Sequence, residues 1–117
     1  MNITPEQANA LRKDCKEHIE RKQLLDRLNA NPDFEALVKH YLEDEPARLT
    51  QLYGDPAINL TDKRELHREE IHERLIGIAR FAEYLRSIHM LASQAEKQLE
   101  DLQKAEAEAV SEAEVVE

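Results

Sequence analysis

Apolar residues recur every three or four positions along most of the chain, which is the spacing of amphipathic α-helices. Thr4 can cap a first helix, Pro5 suits its first position, and Gln7 completes a capping box. The segment 29–32, Asn-Ala-Asn-Pro, predicts its end. The apolar residues between these signals form one stripe at helical spacing: Ala8, Leu11, Cys15, Ile19, Leu24, Leu25 and Leu28.

Two shorter helices are predicted next. Asn31 can cap the second helix, with Pro32 at its first position. Its apolar residues also follow the helical spacing: Phe34, Leu37, Val38, Tyr41 and Leu42. Pro46 predicts an end or a sharp kink, because proline disfavours helical geometry in the residue before it. We predict a third short helix from about Ala47 to Tyr53, with Gly54 as its C-cap.

A long fourth helix is predicted over about residues 62–104, after a loop that reaches about Leu60. Thr61 can cap it, and no proline follows. Gly77 is its one interior glycine, and the sequence leaves open whether the helix is continuous there. Its apolar seam is an imperfect heptad pattern through Ile71, Leu75, Ile78, Ala82, Leu85, Ala92, Leu99 and Leu102, widened by Phe81, Ile88 and Leu91.

These patterns predict an all-α fold, a bundle of three shorter helices packed on the first half of the long C-terminal helix. We predict one helical domain over residues 1–104 and an acidic flexible tail over residues 105–117, which contain five Glu and no Lys or Arg. The seam is longer than three helices can cover, so we expect a partner chain to pair with it as in a coiled coil. The predicted interface residues are Ile78, Phe81, Ala82, Leu85, Ile88, Ala92, Leu99 and Leu102.

Composition supports this class of fold. The 117 residues include only two Gly and four Pro, too few for the turns of a many-stranded sheet. The net charge is −9, which disfavours direct binding of a phosphate backbone. We therefore expect protein partners, including a homo-oligomer, rather than nucleic acid.

The sequence also predicts a compartment. A single cysteine, Cys15, cannot form an internal disulfide, and this favours a reducing environment. The first residues lack the basic and apolar regions of a secretory signal. No apolar run approaches the ~20 residues that span a bilayer. We expect a cytoplasmic protein that does not enter membranes.

Two spacings could carry chemistry. Glu69 and His72 form an E-x-x-H pair, but di-iron bundles need two such pairs and two further glutamates. Cys15 and His18 form a C-x-x-H pair, but a zinc site needs four ligands. We interpret the first pair as part of a charged surface and Cys15 as a small core residue. The chain also lacks a phosphate-binding glycine loop and a nucleophile motif. We predict no enzyme activity, no catalytic residue, no metal and no cofactor.

The stretch 68–86, Arg-Glu-Glu-Ile-His-Glu-Arg-Leu-Ile-Gly-Ile-Ala-Arg-Phe-Ala-Glu-Tyr-Leu-Arg, is preceded by Asn-Pro-Asp-Phe at 31–34 and Tyr-Leu at 41–42. Together these segments resemble small helical proteins encoded in the particle-assembly gene blocks of tailed bacteriophages. The resemblance covers about the middle half of the chain. It implies a structural or assembly role in a virion, with the protein in the bacterial host cytoplasm or in the particle. It assigns no catalytic residue.

Two further hypotheses stay open at this point. An acidic inhibitor or adaptor could occupy a basic nucleic-acid-binding site on a host protein, as the charge of −9 suggests. A metalloprotein would have to use Glu69, His72, Cys15 and His18. The apolar seam favours the structural or assembly component over both.

Overall fold

A computed structural model describes the backbone of residues 3–116 and the side chains of residues 3–113. The described chain contains helices and no strand, which confirms the all-α prediction. The helices are α1 (Pro5–Asn29), α2 (Pro32–Lys39), a π-helical turn (His40–Asp44), α3 (Glu45–Tyr53), α4 (Pro56–Asn59) and α5 (Arg64–Val116).

The predicted caps of the first two helices are confirmed. The backbone N–H of Thr4 donates to Oε1 of Gln7 at 2.9 Å, and the backbone N–H of Gln7 donates to Oγ1 of Thr4 at 3.1 Å. The side chain of Asn31 accepts a hydrogen bond from the backbone N–H of Asp33 at 2.9 Å. Each cap satisfies N–H groups that a helix N-terminus otherwise leaves without a partner.

Pro46 does not end the helical path, because residues 32–53 are helical without a gap, and this corrects the predicted boundary. Proline lacks an N–H and its ring crowds the carbonyl of the preceding turn. The chain accommodates it with the wider turn His40–Asp44, in which the backbone N–H of Glu45 donates to the carbonyl of His40, five residues earlier. As a result α3 begins at Glu45 rather than near Ala47.

The long helix begins two residues later than predicted, at Arg64. The loop before it contains α4, which Asp55 caps by accepting from the N–H of Ala57 at 2.9 Å. The hydroxyl of Thr61, the predicted cap of α5, donates to the carbonyl of Ile58 at 2.8 Å, and the carbonyl of Thr61 accepts from the N–H of Arg64 at 3.3 Å. The helix is continuous through Gly77, which resolves the alternative that the sequence left open.

The predicted flexible tail from residue 105 is helical in the structure, where α5 continues to Val116. Alanine and glutamate, which dominate this stretch, are strong helix formers. The described side chains also contact α1, because Arg12 forms an ion pair with Glu106, and Ala105 is half-buried. The acidic stretch is therefore an extension of α5 over at least these residues.

The chain divides into two compact units where the sequence predicted one domain. The first, which we name the α1/α5 unit, comprises Met1–Asp26 and Ser87–Glu117. The second, the middle unit, comprises Arg27–Arg86. The predicted bundle of three helices on the first half of α5 is thus corrected: α1 up to Asp26 belongs with the second half.

The core of the middle unit forms between the short helices and the start of α5. Leu49 of α3 is buried with Ile71 and Ile78 of α5. Half-buried apolar side chains pack against this cluster: Leu42, Leu52, Ile58 and Leu75. Burial of an aliphatic side chain of this size contributes about 1.5–3 kcal/mol. This cluster fixes one face of α5 against the protein and leaves the opposite face accessible.

Candidate protein–protein interface

The predicted interface residues of the middle unit are covered by the chain itself. Ile78 is buried in the core cluster, and Phe81, Ala82 and Leu85 are half-buried. The ring of Phe81 meets the ring of Tyr41 edge-on, with centroids 5.6 Å apart and planes at 75°. This geometry is favourable for two aromatic quadrupoles.

The predicted interface residues of the α1/α5 unit are covered as well. Ile88, Ala92 and Leu102 are buried, and Leu99 is half-buried. Two links cross between the helices of this unit: the Cys15 thiol donates to Oε1 of Gln98 at 3.4 Å, and Arg12 pairs with Glu106. Position numbers rise along α1 as they fall along α5, so the two helices are antiparallel.

Small residues allow these two helices to approach closely. Cys15 and Ala92 are 0% exposed and Ala95 is 1% exposed, so no solvent reaches between the backbones there. Ala95 was missed in the sequence, where the predicted seam passes from Ala92 directly to Leu99. One signal in the sequence could have indicated this helix pair. On α1 the small residues Ala8 and Cys15 are seven positions apart, which is the repeat of the contact positions in a pair of helices.

None of the eight predicted interface residues is exposed: four are buried and four are half-buried within the chain. Their role in binding a partner stays a prediction. The physical reason for the burial in the α1/α5 unit is that α1 has an apolar row of its own with the same period. Ala8, Cys15 and Leu25 of that row are buried in the same unit. The surface that is exposed in the described chain lies elsewhere.

Cys15 has the environment of a structural residue. Burial raises the pKa of its thiol, and the neighbouring carboxylate of Asp14 raises it further. A thiol with a raised pKa is a poor nucleophile, since the thiolate is the reactive form. His18 lies instead near Asp14, with Nε2 3.6 Å from the carboxylate, and near Arg21.

The other candidate ligands do not converge. Glu69 and His72 are both exposed on α5. Over the residues whose side chains are described, no group of three or more His, Cys, Asp or Glu side chains could hold a metal ion. Among the described side chains, neither of the two pairs that the sequence singled out thus has a further candidate ligand beside it that would complete a metal site.

Exposed apolar side chains are concentrated in the middle unit. Among the described residues, four large apolar side chains of the α1/α5 unit are exposed: Ile3, Leu24, Met90 and Val110. The middle unit exposes Leu28, Leu37, Tyr41, Tyr53, Leu60, Leu66 and Tyr84. Leu60 is 86% exposed and Leu37 is 69% exposed. Exposed apolar side chains are typical of interaction surfaces where they form a patch.

One face of α5 in the middle unit forms a continuous exposed row, which we name the open row. Its members follow steps of four and three residues, and every one is exposed: Leu66, Glu70, Glu73, Gly77, Arg80 and Tyr84. Leu66 and Tyr84, the two ends, are 54% and 55% exposed. A Cβ built on Gly77 would meet no atom within 4 Å. The open row therefore has a gap at its middle and apolar side chains at its ends.

The loop before α5 is held in place by side-chain contacts. Nε of Arg68 donates to Oδ1 of Asn59 at 2.7 Å, and its guanidinium lies 5.2 Å from the ring centroid of Tyr53. Nδ2 of Asn59 donates to the carbonyls of Tyr53 and Asp55, each at 2.9 Å. The start of the open row thus lies beside an ordered loop.

Charge is distributed unevenly between the helices of the α1/α5 unit. Residues 87–117 contain eight acidic and two basic residues, whereas residues 1–26 contain five of each. The described glutamates near the end, Glu108 and Glu112, are exposed. This end of α5 presents one sign of charge, which favours basic partners.

Comparisons with protein-family models, with curated proteins and with solved structures give no match to this chain. In the part of the chain that the structure describes, no helix combines the length and the apolar character needed to cross a membrane.

Proposed function

We propose that this chain is a non-enzymatic protein–protein interaction module, a structural or assembly component that binds its partners through the middle unit and its segment of α5. One observation carries the proposal: large exposed apolar side chains concentrate in Arg27–Arg86, while the heptad seam is covered within the chain. A monomer that must stay in solution gains nothing from such a surface, so a partner is the simplest reason for it.

Two features support an assembly role over a catalytic one. The residues that could carry chemistry are either buried, as Cys15 is, or dispersed on the surface, as Glu69 and His72 are. The segments that resemble small helical proteins of phage particle assembly lie at 31–34, 41–42 and 68–86, within the middle unit. We propose a virion-type component, located in a host cytoplasm or in a particle.

A site-specific photo-crosslink tests the proposal. A photoreactive amino acid replaces Leu37, and the full chain is expressed in its own host during particle formation. We expect one discrete adduct with a component of a large assembly, and co-migration with that assembly in a density gradient. Gln23 is the control position, because it is exposed and polar and lies on α1.

Adduct formation that is equal at both positions, or absent from Leu37, would contradict the proposal. A Leu37→Asp substitution in a chain that carries the photoreactive group at Tyr41 completes the design. It should suppress the adduct if the apolar surface of α2 provides the contact, because burial of an unpaired carboxylate is unfavourable.

A second candidate function has its own observation. Helical geometry continues through the acidic end of α5, which would let an inhibitor or adaptor present its carboxylates along a basic nucleic-acid-binding site of a host protein. Binding of this kind should weaken steeply with salt and should compete with DNA. Truncation after Ala105 should abolish it, whereas Leu37→Asp should leave it unchanged.

A further inference from the structure

We infer that the open row of α5 is the interface of a symmetric dimer, in which the α5 helix of a second copy packs antiparallel against it. The inference rests on the proposed function and names one partner for it. Two-fold dimers are the commonest soluble oligomers, and their interface must be complementary to itself. The open row meets this requirement at each of its six positions.

The complementarity follows from the spacing of the row. The two-fold axis passes the helix at the level of Leu75. A residue a given number of positions before Leu75 in one copy then faces the residue the same number of positions after Leu75 in the other copy. Leu66 then lies opposite Tyr84, Glu70 opposite Arg80, and Glu73 opposite Gly77. Positions separated by alternate steps of four and three form one helical seam, so all three pairs fall on the contact line.

The charged pair decides the orientation. Among the described side chains, neither Glu70 nor Arg80 has an ion-pair partner within the chain. In the antiparallel arrangement each of them meets the opposite charge of the second copy, twice per dimer. A parallel arrangement would place Glu70 against Glu70 and Arg80 against Arg80. Charge complementarity therefore favours the antiparallel dimer.

Gly77 supplies the close approach. Glycine in the interior of an exposed helix costs stability relative to alanine, and no contact within the chain calls for it, since its Cβ position is open. Glu73 of the second copy is its counterpart across the axis. The missing side chain leaves room for the stem of that glutamate, so the two backbones can come closer at the centre.

The apolar ends contribute burial. Leu66 and Tyr84 are about half exposed in the single chain, and each covers the other in the dimer. Tyrosine is enriched in interfaces because it combines an apolar body with a polar tip. A contact of about five helical turns lies near the lower limit of specific interfaces, roughly 1,000 Å². We therefore expect a reversible, concentration-dependent dimer.

Sedimentation equilibrium of the full chain over a concentration series tests the dimer. The wild-type mass should rise from that of one 13.6 kDa chain to twice that value. Arg80→Glu and Glu70→Arg should each weaken association by at least about tenfold, because each places like charges in contact twice. An equimolar mixture of the two variants should regain the wild-type dimer, since both pairs then have opposite charges.

Arg86→Glu is the matched control, because it reverses an exposed charge of α5 outside the open row. It should leave the dimer unchanged. Gly77→Leu should abolish the dimer while circular dichroism shows an intact helical chain. A monomer at every concentration up to the solubility limit, or a mixture that stays monomeric, would overturn the inference. The crosslink at Leu37 tests the proposed function independently of the dimer. A monomeric chain that still forms this adduct would overturn the dimer alone, whereas loss of the adduct would contradict the proposed function.

Discussion

The thiol of Cys15 donates a hydrogen bond to Oε1 of Gln98 across 3.4 Å, which joins the middle of α1 to the second half of α5. The two residues are 83 positions apart in the sequence, so the contact is among those that close the α1/α5 unit. Cys15 is 0% exposed, so its side chain is enclosed by the protein. The stability of this unit should therefore depend on the chemistry and the volume of a few small side chains.

The pH dependence of stability should reveal the buried thiol. Because the pKa of Cys15 is higher in the folded than in the unfolded chain, the unfolded chain releases this proton first as the pH rises. The free energy of unfolding should then fall above the ordinary pKa of a thiol. Urea unfolding at pH 7 and pH 10, compared between the wild type and Cys15→Ala, isolates this effect. A fall of equal size in both proteins would contradict the prediction.

A larger residue at Ala95 should destabilise the α1/α5 unit. Ala95 is 1% exposed, and insertion of a leucine forces the two helices apart, at a cost of about 1–3 kcal/mol or more. The measurement is the urea midpoint followed by circular dichroism. Ala79→Leu introduces the same side chain at an exposed position of α5 and should stay within about 0.5 kcal/mol of the wild type. Similar midpoints for both variants would show that the helices are not closely packed at Ala95.

Truncation of Leu49 should destabilise the middle unit. Its side chain is 1% exposed at the centre of the core cluster, and Leu→Ala changes at such positions cost about 2–5 kcal/mol. Hydrogen exchange of the amides of α3 should report the loss locally. Leu37→Ala removes the same atoms from a side chain that is 69% exposed, and should change stability by about 0.5 kcal/mol or less. The reverse order of the two variants would refute the placement of the core.

Acid should weaken the start of α3. The guanidinium of Arg48 donates two hydrogen bonds to the carboxylate of Glu45, at 2.8 and 2.9 Å. These bonds lower the pKa of Glu45, and the charges of Arg48, His40 and Arg74 lower it further. The resulting stability is present above the ordinary carboxylate pKa and is lost as the pH falls through the lower folded value. Glu45→Gln should therefore flatten the acid limb of the stability profile.

The control for this carboxylate is Glu43→Gln, since Glu43 is an exposed glutamate two residues away and has no ion-pair partner among the described residues. Thermal melts between pH 3 and pH 7 provide the comparison. The effect should be small, because solvent screens an exposed pair. If Glu45→Gln leaves the dependence of stability on pH unaltered, the ion pair between Glu45 and Arg48 does not stabilise the start of α3.

Local signals in the sequence predicted the helices well, and the reasons are visible in the structure. Thr4 and Asn31 cap helices because their side chains reach N–H groups two or three residues away, a relationship that depends only on neighbours. The turn around Pro46 was harder, since the sequence indicates a conflict at proline but not how the backbone relieves it. A wider turn and a break have the same local cause.

The pairing of helices was beyond such local signals. α1 and the second half of α5 each show an apolar row, but nothing in either row states which partner it takes. The length of the seam on α5 suggested a partner outside the chain, whereas Ala92 and Ala95 are buried in the same unit as Cys15 of α1. For the same reason the open row was overlooked: exposed positions become recognisable only once the buried face is known.

The π-helical turn at His40–Asp44 sets the angular phase between α2 and α3. Its extra residue delays α3 by about 100°, the rotation of one residue in an α-helix. If the turn relaxed into a regular helix with all of its residues kept, Leu49 would rotate by this angle away from Ile71 and Ile78. Deletion of one residue such as Glu43, with the same relaxation, would leave the facing of Leu49 unchanged. The wider turn thus absorbs one residue without changing which side of α3 is buried, and a one-residue deletion in the turn should be less damaging than a one-residue deletion within α3, where no wide turn can compensate for it.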